Sequence, residues 1–501
     1  MQVLAESAPL VPQRVGSIAS RRWTEQLIRV FFGGNALVAL IVLGLITLFL
    51  AREGFGFFGQ NLQNLRLYRQ AGLEYVDIMR AETEKHSALS RGLSEVRLRQ
   101  FRAATSGGAS AEEANASLAA FDQFATAFSD SDTALQGIVS DAAEQATALK
   151  EQPQNRAAGL PLVMGATPLF DAASRAASAT ITQLVATAPE MPAPFAQQRL
   201  ARWKKEARAA AADLPRTTDR LRAWSAGAPV PWYRAISSFL FGHDWITASF
   251  WQDWYGIRPL LVGSIMVSFV ALVLAVPLGV SSAIYVSEIA SRAEKRLIKP
   301  YIEFISAIPS VVLGFFGIAV VGQAVRAMSQ LPIFSWVSFF PISERLNVFT
   351  AGCLLALMAV PTIFTLAEDA LRNVPRGFKE ASYALGANRL QTIARVLVPA
   401  SLSGIVSAIL LGLGRVIGET MVVLLCAGNR IEIPDFTQGL GAFFQPVHTM
   451  TGIIAQEMGE VVRGSMHYRA LFMVGLVLFT ITLLINYLAQ KLVARYRMSI
   501  G

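Results

Sequence analysis

Six long apolar runs, most of them joined by short basic loops, constrain the fold of this chain more than any other feature. Each run can cross a hydrocarbon core of about 30 Å as a helix, which takes about 20 residues. Backbone groups in such a core must be hydrogen-bonded within the protein, and helices achieve this. We therefore predict an all-α, polytopic membrane protein. The predicted transmembrane helices are 28–51, 258–287, 301–325, 347–370, 402–427 and 470–492.

The distribution of charge predicts the topology. Charged residues make up 16% of the chain, fewer than the roughly 25% of a soluble domain. Lys and Arg cluster in 288–300 and 371–400 and near both termini, whereas 326–346 and 428–469 hold few. By the positive-inside rule, we predict a multi-pass protein with both termini cytoplasmic, including a disordered tail at 1–27. The basic excess therefore reflects membrane topology, and we predict no nucleic-acid partner.

A large insertion separates the first two spans. We predict that residues 52–230 (the insertion) form an α-helical extracytoplasmic region, because they are nearly neutral and rich in good helix formers. Proline and glycine breakers leave helical stretches near 62–105, 111–150, 166–188 and 195–226. Segment 231–257 contains four tryptophans, typical of an interfacial aromatic belt, and 258–501 holds the five remaining spans. The tryptophans in question are Trp232, Trp245, Trp251 and Trp254.

Motifs for catalysis, metal binding and ATP binding are missing from the sequence. No G-x-x-x-x-G-K-[ST] or H-E-x-x-H pattern occurs. Cys353 and Cys426 lie singly in apolar runs and are predicted to be small buried residues. His448 and His467 are predicted to be solvated residues of an outer loop. We therefore predict no catalytic residue, no metal site and no cofactor.

A predicted cytoplasmic segment resembles the EAA loop of binding-protein-dependent importer permeases. It reads Glu380-Ala381-Ser382, then Gly386 after three residues, and Val396-Leu397-Val398-Pro399 further on. Gly386 permits a close turn between two short helices, and Pro399 is tolerated in the first turn of the next helix. The resemblance implies that Glu380, Ala381, Ser382, Gly386 and Pro399 couple the chain to a separate ATPase subunit.

An arginine inside the fifth span is the main candidate for substrate contact. An intramembrane arginine costs about 2.5 kcal/mol or more at the bilayer centre, so it is a functional hypothesis by default. Arg415 and Glu419 are four residues apart and would share a helical face. Either they neutralise each other, or Arg415 binds an oxyanion while Glu419 orients it. We assign Gly414, Gly418 and Thr420, together with Arg415 and Glu419, to the path that the substrate takes through the membrane.

Three segments together resemble PstC, the phosphate permease family. They are Gly412–Met421, Ser306–Gly314 and Val360–Thr362. The resemblance implies a non-enzymatic permease subunit of an ATP-driven phosphate importer in the bacterial inner membrane. It also implies a sister permease (PstA-like), an ATPase subunit (PstB-like), an extracytoplasmic phosphate-binding protein (PstS-like) and membrane lipid as partners. The insertion lies outside the resemblance. A permease for molybdate, tungstate or sulfate, and a membrane sensor using the insertion, remain alternatives.

Overall fold

The structure is a computed structural model that describes residues 18–496 except Ala248, Phe250, Ser335 and Ser338. Of the tail predicted at 1–27, residues 1–17 lie outside the described residues. Residues 18–27 are helical, which contradicts the disorder predicted for them.

The described residues are mainly helical. The first part of the chain contains α1 (Ile18–Gln70), α2 (Leu73–Ser106), α3 (Ala111–Ser117), α4 (Ala119–Asp130), α5 (Thr133–Glu151), α6 (Arg156–Met164), α7 (Thr167–Thr187) and α8 (Pro194–Ala223). A junction follows, with α9 (Trp232–Phe241) and the antiparallel strands β1 (Trp245–Ile246) and β2 (Trp254–Tyr255). The remainder contains α10 (Arg258–Ile284), α11 (Arg292–Ala307), α12 (Ser310–Phe316), α13 (Gly322–Ser329), α14 (Val348–Arg372), α15 (Arg376–Ala384), α16 (Arg389–Thr392), α17 (Val398–Ile417), α18 (Met421–Cys426), α19 (Met450–Glu457) and α20 (Met466–Tyr496).

Six helical segments among the described residues are long and apolar enough to cross a membrane, which confirms the predicted fold class. Wide π turns at Tyr285–Ile289, Gly317–Val321 and Ile393–Leu397 lie within or beside three of them. The six segments are Gln26–Gln70, Arg258–Ile289, Ser310–Ser329, Val348–Arg372, Arg389–Ile417 and Met466–Lys491.

Two predicted spans have different bounds in the structure. The span predicted at 301–325 starts at Ser310, because extended backbone at Ile308 and Pro309 ends α11 and starts α12 as a separate helix. The span predicted at 402–427 starts earlier, at Arg389, and ends at Ile417. Hydropathy alone could not place these breaks, because apolar residues lie on both sides of each.

The first helix is both a membrane span and a support for the insertion. No helix end marks the predicted boundary at residue 51, since α1 runs on without interruption to Gln70. Gly54 lies against Met473 of α20, whereas the apolar side chains from 27 to 46 are almost all exposed in the isolated chain. Further on, Leu65 and Tyr68 are buried. The insertion therefore continues directly from a membrane helix.

Residues 52–230 form a helical bundle with its own hydrophobic core. The core is made mainly by α2, α4, α5, α7 and α8, close to the helical stretches predicted from the sequence. Phe121, Phe128 and Trp203 lie at its centre, and the Trp203 indole donates to the carbonyl of Leu89 at 2.8 Å. Because α2 and α8 pack along each other, their outward faces form one surface of the insertion.

The tryptophan-rich junction fastens the insertion to the membrane domain. The Arg80 guanidinium lies over the Trp251 ring, 3.9 Å from the ring centroid. The backbone carbonyl of Trp251 accepts a hydrogen bond from Lys150 at 2.7 Å. The Trp254 ring packs edge-on against Tyr68. Trp245 is buried, so among the four tryptophans only Trp232, 69% exposed, has the accessibility that a membrane-interface belt requires. The other three were predicted to face the interface, but they bridge parts of the protein.

Small residues bring the membrane helices close together. Gly352 of α14 lies against Val270 of α10, where an added Cβ would meet the valine at 2.5 Å. On α17, Gly404, Ala408 and Gly412 follow one another at intervals of four and face α14. Close backbone approach of this kind is a main source of helix association in lipid, because there is no hydrophobic force there that drives helices together.

We predict that Gly404→Ala destabilises the membrane domain, because the new Cβ would overlap the Cβ of Ala370. Overpacking of this kind typically costs about 1–3 kcal/mol. The thermal midpoint of the detergent-solubilised protein should fall. Gly414→Ala is the matched control on the same helix, since nothing lies within 4 Å of its added Cβ. Equal midpoints for both variants would contradict the close packing of α14 and α17.

Candidate functional site

The helix that carries Arg415 breaks directly after it. Helix α17 ends at Ile417, Gly418 caps it, and Glu419 and Thr420 have no helical structure before α18 begins at Met421. Non-helical backbone at membrane depth is tolerated only where it is buried in protein or lines a water-filled cavity. The break therefore marks a place where the membrane domain departs from simple helix packing.

The Arg415 side chain reaches a second segment that the sequence had singled out. Its Nη1 donates to Oγ1 of Thr362 at 3.4 Å, a long hydrogen bond. Thr362 follows Pro361 within α14. The structure thus brings together parts of Gly412–Met421 and Val360–Thr362, and Arg415 lies on an exposed face of the isolated chain. The third segment, Ser306–Gly314, contains the break between α11 and α12.

The predicted pairing of Arg415 with Glu419 is wrong. Within the described residues, no ion pair joins them. The Glu419 carboxylate instead accepts from the amide of Met421 at 3.2 Å, and its carbonyl accepts from Thr451 at 2.8 Å. The spacing argument failed because the helix ends at Ile417, so residue 419 is not on the face that carries Arg415. Two hypotheses required this contact: that the two charges neutralise each other, and that Glu419 orients Arg415. The structure supports neither of them.

Helix α17 has a packed face and an open face. The packed face includes Gly412, where an added Cβ would meet Ile363 at 2.7 Å. Gly414 has open space around it and lies on the side of Arg415, and Gly418 follows at the break. Thr420 donates to the carbonyl of Gly418 at 3.4 Å. Of these three glycines, only Gly412 closely approaches a side chain of the neighbouring helix α14.

A buried histidine lies just before α19, the helix whose Thr451 contacts the break. His448 is 1% exposed, which contradicts its predicted position on the surface. Its Nε2 contacts the Gln456 side chain at 3.0 Å, and its Nδ1 accepts from the amide of Thr449 at 2.9 Å. Burial lowers the pKa of His448 below its ordinary 6.5. His467 is also engaged rather than free, 2.7 Å from Glu457. From the same segment, Thr451 holds the Glu419 carbonyl.

We predict a pH effect on stability that passes through His448. Because its pKa is lower in the folded protein than in the unfolded one, folding is favoured while the imidazole is neutral. This contribution is present above pH 6.5 and is lost as the pH falls toward the lowered pKa. The thermal midpoint should therefore drop more between pH 7.5 and pH 5.5 in the native chain than in His448→Gln. Identical pH dependence in the two proteins would show that His448 does not titrate in this way.

The second candidate site is an elbow formed by residues 376–399. Helix α15 ends at Ala384, and Gly386 takes a φ of +79°, the left-handed conformation that favours glycine. Asn388 then caps α16 in a capping box with Gln391. The turn predicted at Gly386 is therefore present. Pro399 is the second residue of α17, after the wide turn at Ile393–Leu397.

The elbow is held to the end of α10 by a residue that the sequence analysis missed. Lys379 binds the Glu288 carboxylate at 2.7 Å, and Arg389 donates to the carbonyl of Glu288. Inside the elbow, Ser382 is buried and bonds to Thr392 at 2.9 Å. Only the position of Glu288, directly after a span and before a basic loop, could have indicated its role. A displacement of the elbow would therefore be transmitted to both α10 and α17.

The outer surface of the elbow is apolar at its tip. Leu385 is 89% exposed and Leu390 is 69% exposed, on either side of the Gly386 turn. Glu380 and Ala381 are also exposed. Exposed leucines at a tight turn, next to a charged residue, provide the apolar and polar contacts that a protein interface needs.

Comparisons with known proteins identify a family and several relatives of this chain. The family model for "Binding-protein-dependent transport system inner membrane component" matches residues 275–498. The probable ABC transporter permease protein YqgH of Bacillus subtilis is 36% identical over 242 residues, covering 47% of this chain and 72% of that protein. The phosphate transport system permease protein PstC of Pasteurella multocida is 32% identical over 266 residues, covering 52% and 80%. An inward-facing structure of the MetNI methionine ABC transporter has a TM-score of 0.35 at 20% identity, covering 48% of this chain and 95% of that one.

The chain belongs to the family of binding-protein-dependent transport system inner membrane components. It is a PstC-like permease, as its motifs predicted. Family members are permease subunits of ABC transporters, so this chain is a multi-pass membrane subunit and not an enzyme. The family model does not reach the insertion.

Proposed function

We propose that this chain is the permease subunit of an ATP-driven phosphate importer and that Arg415 contacts the anion during translocation. The supporting observation is a guanidinium on the open face of a broken membrane helix, with Thr362 as its hydrogen-bond partner. The PstC names of several relatives support phosphate as the substrate. Gly414, Gly418, Glu419 and Thr420 belong to the same proposed path.

The chemistry of the guanidinium favours an oxyanion. Its planar fork donates paired hydrogen bonds to a tetrahedral anion, which a single ammonium charge does not match. No carboxylate lies within ion-pair distance of Arg415 among the described residues, so its charge stays available to a substrate. A bound anion would offset part of the cost of about 2.5 kcal/mol or more for a charged side chain in the membrane. Thr362 would supply a hydroxyl to the same ligand.

We propose that the elbow lies in the cytoplasm and docks into an ATPase subunit, with Glu380, Ala381, Ser382, Gly386 and Pro399 forming or supporting the contact. A PstB-like ATPase, a PstA-like sister permease and a PstS-like phosphate-binding protein would complete the complex. Both termini would be cytoplasmic, and the insertion would face the opposite side of the bacterial inner membrane. The ion pair between Lys379 and Glu288 and the hydrogen bond from Arg389 to the Glu288 carbonyl support this proposal. Through it, movement of the ATPase would reach α10 and α17 together.

We predict that Arg415→Gln abolishes phosphate uptake while the complex still assembles. Removal of the guanidinium takes away the charge that would hold the anion in the low-dielectric interior. Radiolabelled phosphate uptake and co-purification of the subunits measure the two effects separately. Arg463→Gln, an exposed residue of the loop before α20, is the control and should leave uptake unchanged. Normal uptake by Arg415→Gln would refute the oxyanion role.

Uptake measured with molybdate, tungstate or sulfate in place of phosphate separates the remaining substrate classes. The proposal expects these anions to be transported less well than phosphate by the native complex. A preference for one of them would keep the permease assignment and replace the substrate.

We predict that Glu380→Lys uncouples or releases the ATPase subunit, because it reverses the charge on the exposed surface of the elbow. Substrate-stimulated ATP hydrolysis and ATPase co-purification measure this loss. Glu303→Lys on α11, also exposed, makes the same charge change outside the elbow and should leave both signals intact. Unaltered coupling in Glu380→Lys, or equal losses in both variants, would remove the support for docking through the elbow.

A further inference from the structure

A cavity of about 340 Å³ lies between the insertion and the membrane domain, and both contribute to its lining. Helices α2 and α8 form one wall, and the outer segments of the membrane domain form the other. The insertion contributes Arg99, Phe195, Gln198, Arg199 and Arg202, and the membrane domain contributes Phe339, Thr437 and Gln438. Its lining therefore includes three guanidinium groups and no carboxylate.

Two of these arginines share one carboxylate. One oxygen of Glu95 accepts from Arg99 at 2.6 Å, and the other accepts from Arg199 at 2.8 Å. Both arginines use their Nε and Nη2 atoms for this contact. Glu95 therefore balances only one of the two charges. Arg202 is 3.3 Å from Glu206, and both of these side chains are about half exposed, so this pair is weak.

Asp435 supplies the remaining negative charge, but its contact with Arg199 is long. Its carboxylate is 3.8 Å from Arg199. The same carboxylate accepts from the amide of Thr437 at 2.9 Å and from the Gln438 side chain at 3.3 Å. Asp435 is thus held mainly by its own segment. With Asp435 the whole cluster is neutral, but the contact with Arg199 is the longest ion pair within it.

We infer that this cavity is an anion-binding site for inorganic phosphate, in which the anion competes with Asp435 for Arg199. The guanidinium groups match a tetrahedral oxyanion, and Thr437 and both glutamines can donate further hydrogen bonds. The inference rests on the proposed function and gives the insertion a role in it. Phosphate bound here would occupy a second binding site, at the junction between the insertion and the membrane domain and separate from Arg415.

A binding experiment tests the site apart from transport. The intact transporter is purified with Arg415→Gln in this chain, reconstituted in nanodiscs without a binding protein, and equilibrated with radiolabelled inorganic phosphate at low salt. Loss of a charge-assisted hydrogen-bonding group typically weakens binding by about tenfold or more. Arg199→Gln should weaken phosphate binding by about that factor, and Arg202→Gln should weaken it less because this residue is more exposed. Arg208→Gln, on the same helix but outside the cavity lining, is the control and should change nothing.

Asp435→Asn separates an anion site from a structural tether. If phosphate competes with Asp435, removing that charge should tighten phosphate binding several-fold, opposite in direction to Arg199→Gln. If the Arg199–Asp435 contact only holds the insertion in place, both variants should act in the same direction, and the inference is wrong. Thermal midpoints of all variants show whether any of them fails to fold.

Two other outcomes would also overturn the site. One is the absence of saturable phosphate binding in the Arg415→Gln transporter. The other is an unchanged phosphate affinity in Arg199→Gln. Weaker co-purification of the binding protein with that variant, measured separately, would then make the cavity a docking surface. Neither outcome touches the proposed function, because uptake by Arg415→Gln with a native cavity tests that separately.

Discussion

The membrane domain is organised around the Arg415 guanidinium, which lies at a break in a membrane helix and forms no ion pair among the described residues. Backbone amides and charges inside a bilayer are tolerated only when the protein or an aqueous path satisfies them. Helix α17 ends two residues after Arg415, and the Glu419 carboxylate accepts a hydrogen bond from the amide of Met421. Arg415 is left with a long hydrogen bond to Thr362 and an open side. An anion is the partner that we propose for this environment.

The rest of the membrane domain holds this break in position and connects it to the elbow. The small-residue face of α17 packs on α14, and Arg415 lies at the exposed edge of that contact, where it reaches Thr362 of α14. The segment with His448 and Thr451 holds the break from the other end. The opposite end of α17 joins the elbow, which is fastened to α10 through Glu288. One helix thus links the candidate anion contact with the candidate ATPase contact.

The sequence predicted features that depend on periodicity or on a single residue type. Span number, the helical insertion and the Gly386 turn all follow from apolar runs, helix formers and the conformational freedom of glycine. Features that depend on partners distant in sequence were missed. Lys379 and Glu288 are 91 residues apart, and the burial of Trp245 and His448 results from packing between segments. The end of α17 had a local signal in Gly418, a common residue at helix C-termini, but the apolar residues beyond it concealed the break.

The most direct measurement of the central claim is the accessibility of the open face of α17 in the assembled transporter. In a chain with Cys353 and Cys426 replaced by alanine, Gly414→Cys places the single thiol on the open face beside Arg415. The account predicts that a water-soluble thiol reagent modifies this cysteine in the membrane and that phosphate slows the reaction. Modification by lipid-soluble reagents alone, or a rate that phosphate does not change, would contradict a path for the anion past Arg415.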